Sequence, residues 1–267
     1  MNEKNYEYLT EQLKRTGFGD TLNEELRNNM EKQNANFTLD LHKEYGNDKV
    51  SATLHFKKSD QFEMYFFNKY DLQLNKQDSN NALKQTFYND KGITLKEAYN
   101  LLDGRAVNKM QLSKDGEKYN AWLQLDFTKN TQSGNYEFKQ FHQNYGFDLE
   151  KTLSKYPIKE LGNEKFKADL LRSMERGNLQ SATFQVNGKD EKIYLTPNLT
   201  FKTLHAFDEK NQKVSLSNLL EKNKQQQSNK DENKQELSEK PQQKKTNKIK
   251  GEDGAGTPKK TRKQKIA

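Results

Sequence analysis

A chain of 267 residues has room for one or two domains, but 31 % hydrophobic and 31 % charged residues, with a mean hydropathy of −1.25, leave little apolar material for a large core. The absence of cysteine excludes disulfides, thiolate chemistry and cysteine-based zinc sites. The formal charge is +8, and from Glu221 onward 14 Lys/Arg face 7 Asp/Glu, so the body before that point is close to neutral and is not expected to be a general polyanion binder.

The N-terminal MNEKNYEYLTEQLKRTGF lacks an apolar h-region, and no stretch approaches the roughly 18 apolar residues of a membrane helix. A cytoplasmic protein without a membrane partner is expected. Glu3–Lys32 predicts helix, broken at Thr16-Gly17-Phe18-Gly19-Asp20, with Leu22, Leu26 and Met30 forming one apolar stripe after the break. Phe37, Leu39 and Leu41 then alternate with polar residues, as do Val50, Ala52, Leu54 and Phe56 beyond the turn at Tyr45–Asp48. Phe62–Leu74 completes a three-stranded meander. Lys76–Asp90 is polar and predicts helix around Ala82–Tyr88.

Thr94 and Glu97 form a capping-box pattern ahead of a helix over Leu95–Leu102, which Gly104 ends. Strands are expected at Ala106–Leu112, Tyr119–Phe127 and Tyr136–Gln143, with Asp115-Gly116 marking a hairpin. Leu149–Tyr156 predicts a short helix stopped by Pro157. A further helix spans Glu164–Arg176, with Phe166, Leu170 and Met174 on one stripe and Gly177 as its stop. Ser181–Val186, Lys192–Leu195 and Leu199–Phe207 predict strands, the first two joined by Asn187-Gly188. Leu216–Leu220 adds one turn of helix, and the polar, lysine-rich remainder cannot bury enough apolar surface to order itself.

The elements recur. LHFKK at Leu54–Lys58 stands against LDFTK at Leu125–Lys129, and Tyr70-Asp71-Leu72 against Phe147-Asp148-Leu149, with a turn six residues longer in the second copy. Glu191–Phe207 is a weaker third copy. The expected fold is α+β: three related helix-plus-meander units at residues 1–75, 76–150 and 151–215, followed by a disordered basic tail at 216–267.

The segments NKYDLQL, YNAWLQLDFTKNTQSGNYEFKQFHQNYGFDLEKTL and LTPNLTFKTLHAFDEKNQKV, with the tail ending KKTRKQKIA, resemble a domain-of-unknown-function repeat family. That family is carried on conjugative and other mobile elements of Bacteroidetes, and some members are fused to, or encoded near, a type IA topoisomerase. The likeness covers roughly residues 5–215. It implies the company of mobile DNA, in transfer or maintenance, and assigns no catalytic residue.

Candidate chemistry is sparse. His42 and His55 fall on the outward phase of neighbouring strands and could form a two-ligand patch, but a structural metal site wants about four convergent ligands. Solvated strand histidines are the better reading, and no metal or cofactor is expected. Trp122, the single tryptophan, points away from Ala121, Leu123 and Leu125; it is either a stacking platform for a base or is covered by its own domain. Aromatics such as Tyr65, Phe66, Phe67, Tyr70, Phe138 and Phe141, interleaved with Lys69 and Lys139, suit strand cores without an RNP signature. No Walker loop, GxGxxG or GxSxG occurs, so no catalytic residue is assigned.

The tail gathers Lys244, Lys245, Lys248, Lys250, Lys259, Lys260, Arg262, Lys263 and Lys265 against Glu252 and Asp253. Such a polycation binds DNA or RNA through counterion release; about six neutralised phosphates give a log K against log salt slope of roughly −5. The leading expectation is therefore a non-enzymatic accessory protein of a mobile element. Its repeats would meet a protein partner in the DNA-processing machinery, and its tail would add weak nucleic-acid affinity. Two alternatives stand beside it: a nucleic-acid-binding protein whose sheet faces, including Trp122, grip single strands, and a repeat-built regulator with no DNA role.

Overall fold

The computed structural model describes residues 1–221, apart from Asn80 and Asn187. Helices α1 (Glu3–Arg15) and α2 (Asn23–Glu31) are separated at the two-glycine break and turn Leu9, Leu13, Leu26 and Met30 inward. They cover an antiparallel meander of β1 (Asn36–Tyr45), β2 (Asp48–Lys58), β3 (Tyr65–Asn75) and β4 (Leu83–Tyr88). Residues 83–88, expected to be helical, form β4: Leu83, Gln85 and Phe87 alternate with Lys84, Thr86 and Tyr88, and Tyr70 pairs with Phe87. The first meander thus has four strands and extends past residue 75. Phe62 and Met64 stay in the β2–β3 loop with exposed side chains.

Helix α3 (Leu95–Leu102) carries the capping box, with Thr94 and Glu97 bonded reciprocally. The second sheet follows as β5 (Val107–Leu112), β6 (Lys118–Asn130) and β7 (Tyr136–His142). After α4 (Leu149–Leu153) and α5 (Glu164–Glu175) comes the third, β8 (Gln180–Val186), β9 (Lys189–Asn198) and β10 (Thr203–Phe207), with β9 central. The expected break within β9 is absent. A proline removes a ladder donor, but β8 begins opposite Leu195, so Pro197 faces only β10. A helical turn over 216–221 packs Leu216 and Leu219 into the core, so the folded body runs beyond the expected limit at residue 215.

Three helix ends establish the repeat. In each, an N–H bonds back across a six-residue span, and the side chains at the two ends of that span bond as well. For α2 the backbone bond is Asn34 N–H to Asn29 O at 3.3 Å, and Asn34 Nδ2 donates to Asn29 Oδ1 at 2.8 Å. For α3, Arg105 N–H reaches Asn100 O at 2.9 Å and Arg105 Nη2 reaches Asn100 Oδ1 at 2.7 Å. For α5, Asn178 N–H reaches Ser173 O at 3.2 Å and Asn178 Nδ2 reaches Ser173 Oγ at 3.1 Å. The residue before the last is left-handed every time, Gln33, Gly104 and Gly177, which is the Schellman arrangement. A strand then starts two residues on, at Asn36, Val107 and Gln180.

The repeats do not correspond everywhere as expected. Tyr70-Asp71-Leu72 lies inside β3, whereas Asp148 is the N-cap of α4, so the extra residues of the second unit follow β7. The loops 59–64 and 131–135 are nearly equal in length. Phe166, aligned with buried Leu22, is exposed.

The middle of β6 is buried on both faces, and this organises the body. Val107, Ala121, Leu123 and Leu125 join the first core with α1–α3 and the first sheet. Ala106 and Trp122 join a second core with Phe147, α4, α5 and the third sheet. Three units therefore share two cores. Side-chain amides link them: Gln85 accepts from Tyr136 N–H at 2.8 Å and donates to Tyr136 O at 3.3 Å, pairing two sheets as a strand would. Within the first unit, Asn5 of α1 makes the same paired bonds to the backbone of Tyr65 at the start of β3. Among the described residues no helix is long and apolar enough to cross a membrane.

Candidate functional site

The nine tail cations, Lys244 to Lys265, lie outside the described residues. Trp122 is not an exposed platform: it is 7 % exposed and meets Phe147 edge-on, ring centroids 5.7 Å apart. The outward phase of β6 is turned into the second core, so this ring has no face free for a base. Tyr65, Phe67 and Tyr70 are likewise buried, while Phe66 is exposed. His42 and His55 share the outward face of the first sheet but do not converge. Their partners across the ladder, Ser51 and Thr38, place them four strand positions apart, roughly 13 Å. His42 bonds Ser51, and His55 Nε2 lies 2.6 Å from Asp71 Oδ2. Burial works to raise the Asp71 carboxyl, and bonds from Thr86 and His55 outweigh it and hold the group below its ordinary value. Among the described residues no group of three or more His, Asp or Glu side chains is placed to hold a metal ion.

Basic side chains, by contrast, do converge. A recess of about 550 Å³ is lined by Arg15, Lys43, Tyr45, Lys96, Lys109 and Arg176, with Glu97 as its one carboxylate. The contributors come from distant parts of the chain. Arg15 ends α1, Lys43 and Tyr45 stand on β1, Lys96 and Glu97 lie in the first turn of α3, Lys109 is on β5, and Arg176 caps α5. Lys96 and Lys109 are half-buried, and Arg15, Lys43 and Arg176 form an exposed rim.

Glu97 is buried and already bonded to its own cap and to Lys109. Its oxygens accept from Thr94 N–H at 2.9 Å, Thr94 Oγ1 at 3.0 Å and Lys109 Nζ at 2.9 Å. Among the described residues Arg15, Lys43, Lys96 and Arg176 have no carboxylate within 4 Å. Lys96 Nζ instead sits 3.9 Å from the centroid of Tyr45 and 4.3 Å from that of Tyr99, two rings 4.6 Å apart. Lysine in the first turn of a helix also opposes the helix dipole, whose positive end favours anions.

Burial, with Arg105 and Lys43 nearby, pulls the Lys96 ammonium down to about 8. Between that value and the 10.5 of free lysine the unfolded chain holds more protons, so stability rises with pH across this window. Below pH 8 the amine is charged in both states and its penalty is complete. Lys96→Gln is therefore expected to melt no lower than the parent at pH 7, even with the cation–π contacts gone, and its advantage should shrink as pH climbs toward 10.5. Melts at pH 7 and pH 10 check this; a variant clearly less stable at pH 7 would make Lys96 a structural support.

At the other end of α3 the charge reverses. A recess of about 490 Å³ carries Asp48, Asp78, Asp103, Asp208 and Glu209, with Lys76 and Arg105 both paired to Asp103. A nearly neutral body thus conceals a separation of charge along one helix. Composition averages it away. The readable trace was Lys43, which falls in the inward phase of β1 with Leu39, Leu41 and Tyr45, where an apolar residue is expected. Neither the protein-family models, the curated proteins nor the solved structures compared with this chain contain a match to it.

Proposed function

We propose that the protein is a non-enzymatic, cytoplasmic accessory protein of a mobile genetic element that holds nucleic acid by its phosphates and presents it to a partner in the DNA-processing machinery. The basic recess around Lys96 carries this reading. Four cations without carboxylate partners among the described residues are drawn from four elements into one recess, and the half-buried Lys96 among them stands against the dipole of α3, an arrangement that costs stability at Lys96 and serves an anion. The resemblance to mobile-element repeat proteins supports nucleic acid as the source of that anion, and the tail cations add a salt-sensitive, sequence-independent component.

Anisotropy titration of a fluorescent single-stranded oligonucleotide against salt tests the reading. With about eight phosphates neutralised, log K should fall against log salt with a slope of roughly −6 on single strands. Replacing the nine tail cations by glutamine should flatten that slope and leave binding that Lys96→Gln and Arg176→Gln then remove. Loss of all binding with the tail, at low salt, would leave the folded body without a nucleic-acid role.

A further inference from the structure

Resting on that nucleic-acid reading, the geometry points to a narrower ligand: we infer that the recess around Lys96 takes a phosphate monoester, the terminal phosphate of a strand or of a free nucleotide, in preference to the diesters within a strand.

The first reason is charge. A diester carries one negative charge. A monoester carries about −1.5 to −2 at pH 7 and offers three acceptor oxygens. Arg15, Lys43, Lys96 and Arg176 together are more than one diester can satisfy, since Lys109 is already committed to Glu97.

The second reason is shape. The site is a concavity of about 550 Å³, within the range of roughly 300–1,000 Å³ typical of small-ligand sites. Duplex phosphates lie on a convex wall, and an interior phosphate of a single strand would have to bring both flanking nucleotides into the recess. A terminal phosphate enters with one.

The third reason is the layering of the cations. Lys96 is half-buried against Tyr45 and Tyr99, whereas Arg15, Lys43 and Arg176 are exposed around it. An exposed groove for a passing backbone has no use for a half-buried lysine resting against two rings. A phosphate that descends to meet it does. The two arginines on the rim offer forked donors suited to a group with several equivalent oxygens.

The test uses the full chain and one 12-nucleotide single strand, labelled at its 3′ end, with either a 5′-phosphate or a 5′-hydroxyl. The tail also gains from the added charge, so the part of the difference that substitutions in the recess remove reports the recess. The 5′-phosphorylated strand should bind about tenfold tighter, the scale of one further charge-assisted contact. Lys96→Gln and Arg176→Gln should each remove most of the difference, with circular dichroism showing both variants folded. Adenosine monophosphate as competitor separates the two sources. Displacement of the phosphorylated strand well below the concentration at which inorganic phosphate displaces it assigns the site to a free nucleotide, and no such displacement assigns it to a strand end. Equal affinity for the two strands, with both weakened by Lys96→Gln, overturns the monoester assignment and leaves the nucleic-acid reading standing. Equal affinity that neither variant changes overturns both.

Discussion

Gly177→Ala should destabilise the folded body by about 2–5 kcal/mol, a large effect for one methyl group. Two costs add. Gly177 has φ +77°, a left-handed conformation that costs an L-residue roughly 1–2 kcal/mol. A methyl at this position would also stand 2.8 Å from Ala106 O, 2.9 Å from Val107 Cγ2 and 3.1 Å from Asn100 Cβ. The first of these is backbone and cannot rotate away. Relief requires the end of α5 to move off the end of α3, and that movement breaks a buried junction. Asn100, fully buried, donates through Nδ2 to Arg176 O at 2.7 Å and to Asn178 Oδ1 at 3.0 Å, while its Oδ1 accepts from Arg105. Gly104 is the internal control. It holds the equivalent place after α3 with φ +83°, but the nearest atom to an added methyl is Phe127 Cε2 at 3.8 Å. Gly104→Ala should therefore cost only the conformational part, about 1–2 kcal/mol. Urea denaturation of the two variants measures the difference directly; equal losses would remove the steric account of the α3–α5 junction.

That junction shows what the repeat preserves and what it varies. The slot just before the left-handed residue holds Lys32 after α2, Asp103 after α3 and Arg176 after α5. Backbone geometry is retained at all three places while the charge alternates. Asp103 consequently lies in the acidic recess and Arg176 on the rim of the basic one. The scaffold is common to the units, and the chemistry is carried by the side chains set on it.

Much of the scaffold was legible in the sequence because strand alternation and helix punctuation are local. The capping box at Thr94 and Glu97, the stops at Gly104 and Gly177 and the alternation of β1, β2, β5 and β6 needed no tertiary knowledge. β4 was missed because its inward phase is Leu83, Gln85 and Phe87, and a glutamine there looks like surface. Its amide is buried because it pairs with the backbone of Tyr136, 51 residues away, which no window around Gln85 contains. The basic recess was missed for a related reason. Arg15, Lys43, Lys96 and Arg176 stand in four separate elements, and a net charge near zero for the body says nothing of where each charge stands. The tail lysines were conspicuous because they are contiguous. Spatial convergence leaves no such mark.

Trp122→Ala should cost about 3–5 kcal/mol, the range for removing a large aromatic from a packed interior. Sequence periodicity put this ring on the face opposite Ala121, Leu123 and Leu125, which is correct, and that face is buried too. β6 is a central strand with a core on either side: its small and aliphatic residues fill the first, and its indole meets Phe147 in the second. A strand buried on one face can lose a large outward residue cheaply. A strand buried on both cannot. Trp122→Phe keeps an aromatic edge against Phe147 and should lose less, about 1–2 kcal/mol. Denaturation followed by circular dichroism gives both values, and tryptophan emission in the parent reports on the second core because this is the sole indole in the chain. The same pair of variants separates packing from recognition. Trp122→Phe should bind a single strand as the parent does, since the ring touches no solvent-facing site and the recess around Lys96 is lined by other residues. A folded, stable Trp122→Phe protein with reduced nucleic-acid affinity would mean that the second core opens to admit a base, and the two-core arrangement would then be one state of the molecule rather than its fixed frame.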